Sequence, residues 1–315
     1  MRDQYAGDIS DLLKFALLRA LAGCDRNLGI AWYYVASEDN ARDGRHLEWR
    51  DQPHWENLDP DLFKWLREVP RSVSALESTE FWSTAVKFHR TPVPPTKQRK
   101  TWAREKRLKL DSADIVFLDP DNGVGTASEK HATVSELVAL RSPGRSIGFI
   151  TFPKRKKHSA QVVELHECLF RAASFSRIVT IRTSVSVPSK SNPQRVVPRA
   201  RWFTFVDVDD ALQLRLRLFA ATLERLHHVR AYIYESESTV VNGYSVIYEM
   251  GSDGGCGWGA YAPDLPGLGV VADTREEVEI LIREGIQIHT EELLASGFPV
   301  PEPSSFAELV SVTTE

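Results

Sequence analysis

The pattern of apolar and polar positions divides the chain into two regions of different organisation. In the first 230 residues, apolar runs typical of buried strands alternate with helical stretches. The predicted strands are residues 28–35, 115–118, 146–152, 177–185 and 201–206, and the clearest helices are 8–22, capped by Ser10, and 209–228. Residues 59–109 are predicted to be helical and irregular. Because each early strand runs into a polar loop, the pattern predicts an α/β sheet with its site at the strands' carboxyl ends.

A smaller region with its own pattern begins at residue 244. Two alternating strands at 244–249 and 257–262 form a predicted hairpin, and residues 269–272 form a short third strand. A helix then starts at Thr274 and Glu277, which have capping-box spacing, and ends at Gly297. We therefore place a first domain at residues 1–230, a linker at 231–243, a second domain at 244–303 and a tail at 304–315.

The formal net charge of −4 conceals two regions of opposite charge. From Glu235 onward there are fifteen acidic and two basic residues, which leaves a surplus of nine positive charges in residues 1–234. The basic region suits a polyanion such as RNA or DNA, and the acidic region suits a basic partner.

The composition is typical of a soluble, folded protein, with 42% hydrophobic residues. No stretch approaches the roughly 20 apolar residues that a membrane-spanning helix needs, so no membrane partner is expected. The first residues lack the apolar stretch of a secretion signal, and the three separated cysteines do not suggest a disulfide framework. These features favour a cytoplasmic protein.

The loop that follows the strand at 115–118 holds the strongest candidates for catalysis. Asp119, Pro120, Asp121, Asn122 and Gly123 place two carboxylates and an amide in one tight turn. Such a loop can orient a substrate amine, bind a divalent cation or act as a general base, although an ordinary turn has the same composition.

A second candidate group lies near the amino terminus. Tyr5, Asp8 and Lys14 bring a phenol, an acid and an amine to the start of one helix. The structural alternative is a capped helix with a solvated lysine.

Basic residues recur in several stretches of the first region. Residues 97–109 contain seven Lys or Arg together with Trp102. Further candidates for contact with nucleic acid follow the third strand and lie in the predicted hairpin: Lys154, Arg155, Lys156, Lys157, Arg182 and Arg199. The alternative is that these charges form solvated faces.

These motifs resemble those of the RlmJ-type adenine N6-methyltransferases, which act on ribosomal RNA. Residues 5–15 are similar to the family's amino-terminal motif, residues 117–122 occupy the place of its Asp-Pro-Pro-Tyr loop, and residues 149–153 match a strand that ends in an aromatic residue and proline. The resemblance implies a Rossmann-like methyltransferase sheet with helices on both faces and S-adenosylmethionine as cofactor. It also implies that Asp119 receives or orients the target amine, with Lys14 and Tyr5 lining the pocket. Asp121, the second carboxylate of the loop, is a further catalytic candidate.

The sequence departs from this family at two places. The cofactor loop after the first strand lacks paired glycines, so its binding candidates are Asp39, Asn40, Asp43 and Gly44. Asn122 replaces the aromatic residue that would stack on a flipped adenine. Two alternatives therefore stay open: a metal-dependent nuclease or hydrolase that binds Mg²⁺ through Asp8, Asp119 and Asp121, and a non-catalytic binding protein.

The second region resembles the HicB-type antitoxins. The similarity covers the stretch from Ala260 to Gly267, the helix start at Asp273 to Glu277 and the tail from Phe298 to Pro303. It implies a small α/β domain of degenerate RNase H-like type that forms homo-oligomers and neutralises a basic HicA-like toxin. The whole chain is then a toxin–antitoxin-related protein in which a HicB-like module follows a nucleic-acid-directed domain.

Overall fold

The computed structural model describes residues 1–36, 46–79, 82–154, 156–173, 175–188, 194–237, 244–251 and 257–305. The chain divides into two compact units, Met1–Ser238 and Thr239–Glu315. Among the helices of the described residues, none is both long and apolar enough to cross a membrane.

The first unit is built around a seven-stranded sheet with the order β2-β1-β3-β4-β6-β5-β7. Its strands are β1 Leu28–Trp32, β2 Val86–His89, β3 Ile115–Asp119, β4 Ser146–Thr151, β5 Arg177–Pro188, β6 Val196–Val206 and β7 Val229–Glu237. The pairings show that β1 to β5 run in one direction and that β6 and β7 run against them. This topology confirms the predicted α/β class and the hairpin of β5 with β6.

Helices cover both faces of this sheet. They are α1 Ile9–Ala22, α2 Pro60–Glu68, α3 Arg99–Lys109, α4 Val134–Leu140, α5 His158–Ala173 and α6 Asp210–Glu224. Ile30 and Phe117 face a core with α1, α2 and α6, whereas Ala31 and Leu118 face a core with α3, α4 and α5. Because β1 and β3 are buried on both sides, their sequences are continuous apolar runs rather than alternating ones.

The cap of α1 differs from the prediction. Asp8, not Ser10, is the capping residue, and its Oδ1 accepts a 2.7 Å hydrogen bond from the Ser10 amide. The helix ends at Gly23, whose positive φ of 57° is open to glycine. The cap fixes where Asp11 and Lys14 emerge from the helix.

Two strands were not predicted. Residues 231–237, assigned to the linker, belong to β7, which pairs with β5 and extends the first unit's sheet. The strand β2 lies within residues 59–109 and pairs in parallel with β1. These two strands are the outer members of the sheet.

The second unit is an antiparallel sheet with a single long helix packed on it. The sheet has the order β10-β9-β8, with β8 Ile247–Met250, β9 Trp258–Tyr261 and β10 Gly269–Ala272, and the helix is α7 Arg275–Ala295. Val278 and Ile282 of α7 pack on Ala260 in its core. The capping box of Thr274 with Glu277 is present, and Gly297 follows the helix with a φ of 74°, as predicted.

Candidate functional site

A pocket of about 640 Å³ opens at the sheet edge where the carboxyl ends of β1, β3 and β4 meet. Trp32 at the end of β1 pairs with Asp119, and Thr151 at the end of β4 pairs with Trp202 of β6. The lining comes from positions far apart in the chain: Met1, Tyr5, Asp8, Ser10, Asp11, Lys14, His46, Asp119, Pro120, Asp121, Asn122, Lys130, Ile150, Phe152, Pro153, Lys154, His158, Ser184, Pro198, Arg199, Ala200 and Arg201. A pocket of this size and position suits a small ligand or a single nucleotide.

Lys14 joins the two predicted motifs inside this pocket. Its Nζ lies 3.0 Å from Asp119 Oδ2 and 2.6 Å from Asp11 Oδ1. The other oxygen of Asp11 accepts a 2.7 Å hydrogen bond from the Gly7 amide. Lys14 is only 1% exposed, so the ion pairs form largely away from solvent. The fold thus places Lys14 beside Asp119 in the pocket. The alternative of a solvated lysine is wrong, because the side chain is buried.

The neighbouring carboxylates keep the Lys14 ammonium charged and hold it in place. Burial alone would lower the pKa of Lys14, but Asp11 and Asp119 outweigh it and raise that pKa above its usual value. Within the described part of the chain, no hydrogen-bond donor contacts Asp119 Oδ1. Asp119 therefore presents one free acceptor oxygen to the pocket while Lys14 holds the other.

Asp8 and Arg201 are two further buried ionisable residues on the pocket wall. Burial, and then the neighbouring Asp11, raise the pKa of Asp8 to about 7. Burial lowers the pKa of Arg201 to about 10 although Asp8 acts in the opposite direction, so Arg201 stays protonated at neutral pH. Neither side chain resembles a freely solvated charge.

The predicted site residues are placed as follows. Tyr5, Lys14, Asp119 and Asp121 all line the pocket, as do Lys154 and Arg199 of the predicted nucleic-acid contacts. Lys156 and Lys157 are exposed just before α5. The Arg182 guanidinium does not line the pocket and lies 5.8 Å from the ring centroid of Trp202. Five predicted residues lie outside the described residues: Asp39, Asn40, Asp43, Gly44 and Arg155.

The metal candidates do not assemble into a cation site. Among the described residues, no group of three or more His, Cys, Asp or Glu side chains is placed to hold a metal ion. Asp119 and Asp11 instead share the Lys14 ammonium, and Asp121 Oδ1 lies 2.7 Å from the Met1 amino group. Asp8, Asp119 and Asp121 thus face cations of the chain.

Part of the predicted basic surface proves to be internal. Arg99 and Lys106 from the run at 97–109 are buried beside Glu136 of α4. Arg99 Nε lies 2.5 Å from Glu136 Oε1, Lys106 Nζ donates to the Tyr33 hydroxyl at 2.9 Å, and that hydroxyl donates to Glu136 at 2.6 Å. Burial lowers the pKa of Lys106 to about 7. The exposed members of the run are Lys97, Lys100, Arg104, Arg107 and Lys109.

Several pocket residues were not predicted from the sequence, among them Met1, His46, Lys130 and Ser184. Lys130 reaches the pocket because the loop folds back, with the Asn122 amide donating to the Lys130 carbonyl at 2.8 Å. A long polar loop gives no sequence signal for such a return.

No protein-family model matches the sequence, and no curated protein matches it. Among solved structures, a DUF519-family protein from Legionella pneumophila str. Philadelphia 1 is 12% identical over 74% of this chain and 99% of its own, with a TM-score of 0.39. A SAM-dependent methyltransferase from Agrobacterium tumefaciens is 12% identical over 62% of this chain and 61% of its own, with a TM-score of 0.29. A precorrin 8W decarboxylase from Methanobacterium thermoautotrophicum is 13% identical over 62% and 90%, with a TM-score of 0.29. These values are too low to support a function for this chain, and the fold class rests on the strand order given above.

Proposed function

We propose that the first unit is an S-adenosylmethionine-dependent methyltransferase that acts on an exocyclic amine of RNA or DNA; the RlmJ-type enzymes that it resembles act on ribosomal RNA. The observation that carries the proposal is the ion pair between Lys14 and Asp119, 105 residues apart in sequence and 3.0 Å apart in the pocket. These are two of the residues that the sequence resemblance assigns to one site.

Asp119 is suited to bind the target amine. Its free Oδ1 can accept a hydrogen bond from the N–H of the amine, which directs the nitrogen lone pair into the pocket. Lys14 fixes the orientation of the Asp119 carboxylate through their ion pair, and the ring of Pro120 restricts the loop that follows. S-adenosylmethionine would supply the methyl group.

The pocket also contains an aromatic side chain on which the target base could stack. A base must leave its stack to reach such a pocket, and aromatic side chains then replace the lost stacking. Asn122 cannot do this, but Phe152 lines the same pocket and is 39% exposed. Phe152 is therefore our candidate for the stacking residue.

The cofactor is expected on the β1 side of the pocket. The pocket volume admits a nucleoside-sized group, and β1 leads towards residues 37–44, where Asp39, Asn40, Asp43 and Gly44 are the predicted contacts. The basic residues Lys130, Lys154 and Arg199 on the lining are suited to the phosphates of the nucleic acid.

Transfer of labelled methyl groups tests this proposal. The full chain is incubated with methyl-labelled S-adenosylmethionine and either single-stranded RNA or single-stranded DNA. We expect incorporation by the wild type and a loss of about 100-fold or more in Asp119→Asn, because a neutral amide no longer presents a carboxylate to the amine. The control is Glu129→Gln, which removes an exposed acid from the same loop. Full activity in Asp119→Asn, or none in the wild type, would contradict the proposal.

We further propose that residues 244–303 act as a HicB-like module that forms homo-oligomers and binds a basic partner such as a HicA-like toxin. The supporting observation is the outer face of its sheet, where Ile247, Tyr261 and Val271 are exposed by 38%, 38% and 81%. Exposed apolar side chains on one face of a sheet suit contact with another protein surface.

Sedimentation of the full chain tests the oligomer. We expect a species larger than the monomer, and a shift towards monomer in Val271→Glu, because a charge on the apolar face opposes its burial. A parallel variant, Glu276→Gln, changes an exposed residue of α7 and should sediment as the wild type does. A monomeric wild type at all concentrations would refute self-association.

A further inference from the structure

Arg201 is a buried cation whose hydrogen-bonding capacity the described protein leaves unused. It is 2% exposed, it lines the pocket, and its Nε and Nη1 have no hydrogen-bond partner among the described residues. Its backbone is fixed, because the Thr183 hydroxyl donates a 2.7 Å hydrogen bond to the Arg201 carbonyl. A buried guanidinium whose N–H groups make no hydrogen bonds lowers the stability of the protein, unless a ligand accepts those hydrogen bonds.

The surroundings of Arg201 favour an anion. Arg199, two residues earlier on β6, lines the same pocket, because alternate residues of a strand share a face. Burial raises the pKa of Asp8, the carboxylate that acts on Arg201, to about 7, so Asp8 is only partly ionised at neutral pH. The local balance of charge is therefore positive.

We infer that Arg201, assisted by Arg199, is a subsite for a phosphate group of the target nucleotide. A guanidinium presents a planar fork of N–H donors that matches two phosphate oxygens. The inference rests on the proposed function only in taking the ligand to be a nucleotide.

The position of β6 in the sheet favours a nucleotide phosphate over the carboxylate of the cofactor as the ligand of Arg201. In the sheet order, β6 lies beyond β4 from β3, on the side of Asp119 opposite to β1. Two strand spacings separate β6 from β3, about 10 Å at the usual spacing, which is comparable with the span from the amine to the phosphate of an adenine nucleotide. β1, the strand that precedes the predicted cofactor residues in the sequence, lies on the other side of β3.

Binding of small nucleotides tests the subsite without any catalysis. Calorimetry at fixed ionic strength compares 5′-AMP with adenosine on the full chain. We expect 5′-AMP to bind at least about tenfold more tightly, because charge-assisted hydrogen bonds are stronger than neutral ones. Arg201→Gln should lose this preference and keep its affinity for adenosine, whereas Arg171→Gln, which removes an exposed arginine of α5, should keep the preference.

Several results would overturn the inference. The wild type could bind 5′-AMP and adenosine equally, or Arg201→Gln could keep the preference for 5′-AMP. Methionine could also displace 5′-AMP, which would assign Arg201 to the carboxylate of the cofactor. Should Arg201→Gln fail to fold, Arg201→Lys must show a reduced preference, because an ammonium lacks the bidentate fork. An intact preference in a protein that transfers no methyl groups would leave this subsite standing and remove only the proposed reaction.

Discussion

Asp8 combines a structural and an electrostatic role in one side chain. It caps α1 through the Ser10 amide and faces Asp11, Lys14 and Arg201. Burial is the largest cause of its raised pKa of about 7, followed by Asp11, while Arg201 and Lys14 lower it in part. In an unfolded chain the same carboxyl would titrate near its ordinary value of 3.8.

We predict a pH-dependent gain of stability in Asp8→Asn. Between about pH 4 and pH 7 the unfolded wild type releases the Asp8 proton and the folded protein keeps it, so this residue's contribution to stability is lost as the pH rises. Asparagine caps a helix as well as aspartate does but has no proton to lose. The free energy of unfolding of Asp8→Asn relative to wild type should rise by up to about 4 kcal/mol from pH 4 to pH 8.

Urea unfolding followed by tryptophan fluorescence measures this difference, because seven of the eight tryptophans lie in the first unit. Ser10→Ala, which leaves the Asp8 carboxyl in place, should keep the wild-type dependence on pH. A constant difference between Asp8→Asn and wild type over this range would show that Asp8 is ionised in the folded protein.

Single residues of the site were predictable where a motif placed them, and not where packing decided their state. Lys14, Tyr5 and Asp119 lie in recognisable segments at an expected sheet edge, and the fold brings them to one pocket. Arg99 and Lys106 belong to a run of charges that resembles a solvated face, yet Glu136, far away in the sequence, pairs with them. A local pattern does not report a partner supplied by another helix.

At the scale of elements, Glu136 connects α3, α4 and the carboxyl end of β1, where Tyr33 follows the strand. Its carboxylate accepts hydrogen bonds from Arg99 and Tyr33, and it also completes the capping box of α4 with Thr133. The three elements therefore depend on one buried negative charge.

We predict that Glu136→Gln destabilises the first unit by about 3–5 kcal/mol, because Arg99 would remain buried without its counter-charge. Glutamine can keep the capping function, so the loss reports the charge together with the hydrogen bonds that the second carboxylate oxygen accepts. The same fluorescence-detected urea unfolding measures it, with Glu129→Gln expected within about 0.5 kcal/mol of wild type. A change below about 1 kcal/mol in Glu136→Gln would mean that the buried cations are neutral or hydrated instead.

The strands differ in how well the sequence predicts them, and their places in the sheet explain why. β1, β3 and β4 are interior strands covered on both faces, and their continuous apolar runs are distinctive. β2 and β7 are the edges and are partly exposed along most of their length. Edge strands need less apolar surface, so Arg230, Glu235 and Glu237 of β7 resemble a linker.

At the scale of the whole molecule, charge is divided between the units. Residues 239–315 contain thirteen acidic and two basic residues, and the first unit carries a surplus of seven positive charges. An acidic unit on the same chain repels a polyanion that the basic unit attracts.

We therefore predict that a variant ending at Ser238 binds single-stranded RNA more tightly than the full chain at low salt. The gain should shrink as salt screens the acidic unit, and fluorescence anisotropy over a salt series measures both. The sheet from β1 to β7 is complete in this variant. Equal affinities at low salt would show that the acidic unit does not restrain binding through its charge, and would favour a separate basic partner.

The pocket can form only late in the synthesis of the first unit, because its lining residues are far apart in the sequence. Its lining extends from Met1 to Arg201, so no shorter nascent chain can assemble it. At about 5–20 residues per second, Arg201 is synthesised roughly 10–40 s after Met1. For that interval the growing chain is tethered to a ribosome, itself built of RNA, with the lysine of α1 already made and the arginine of β6 still missing.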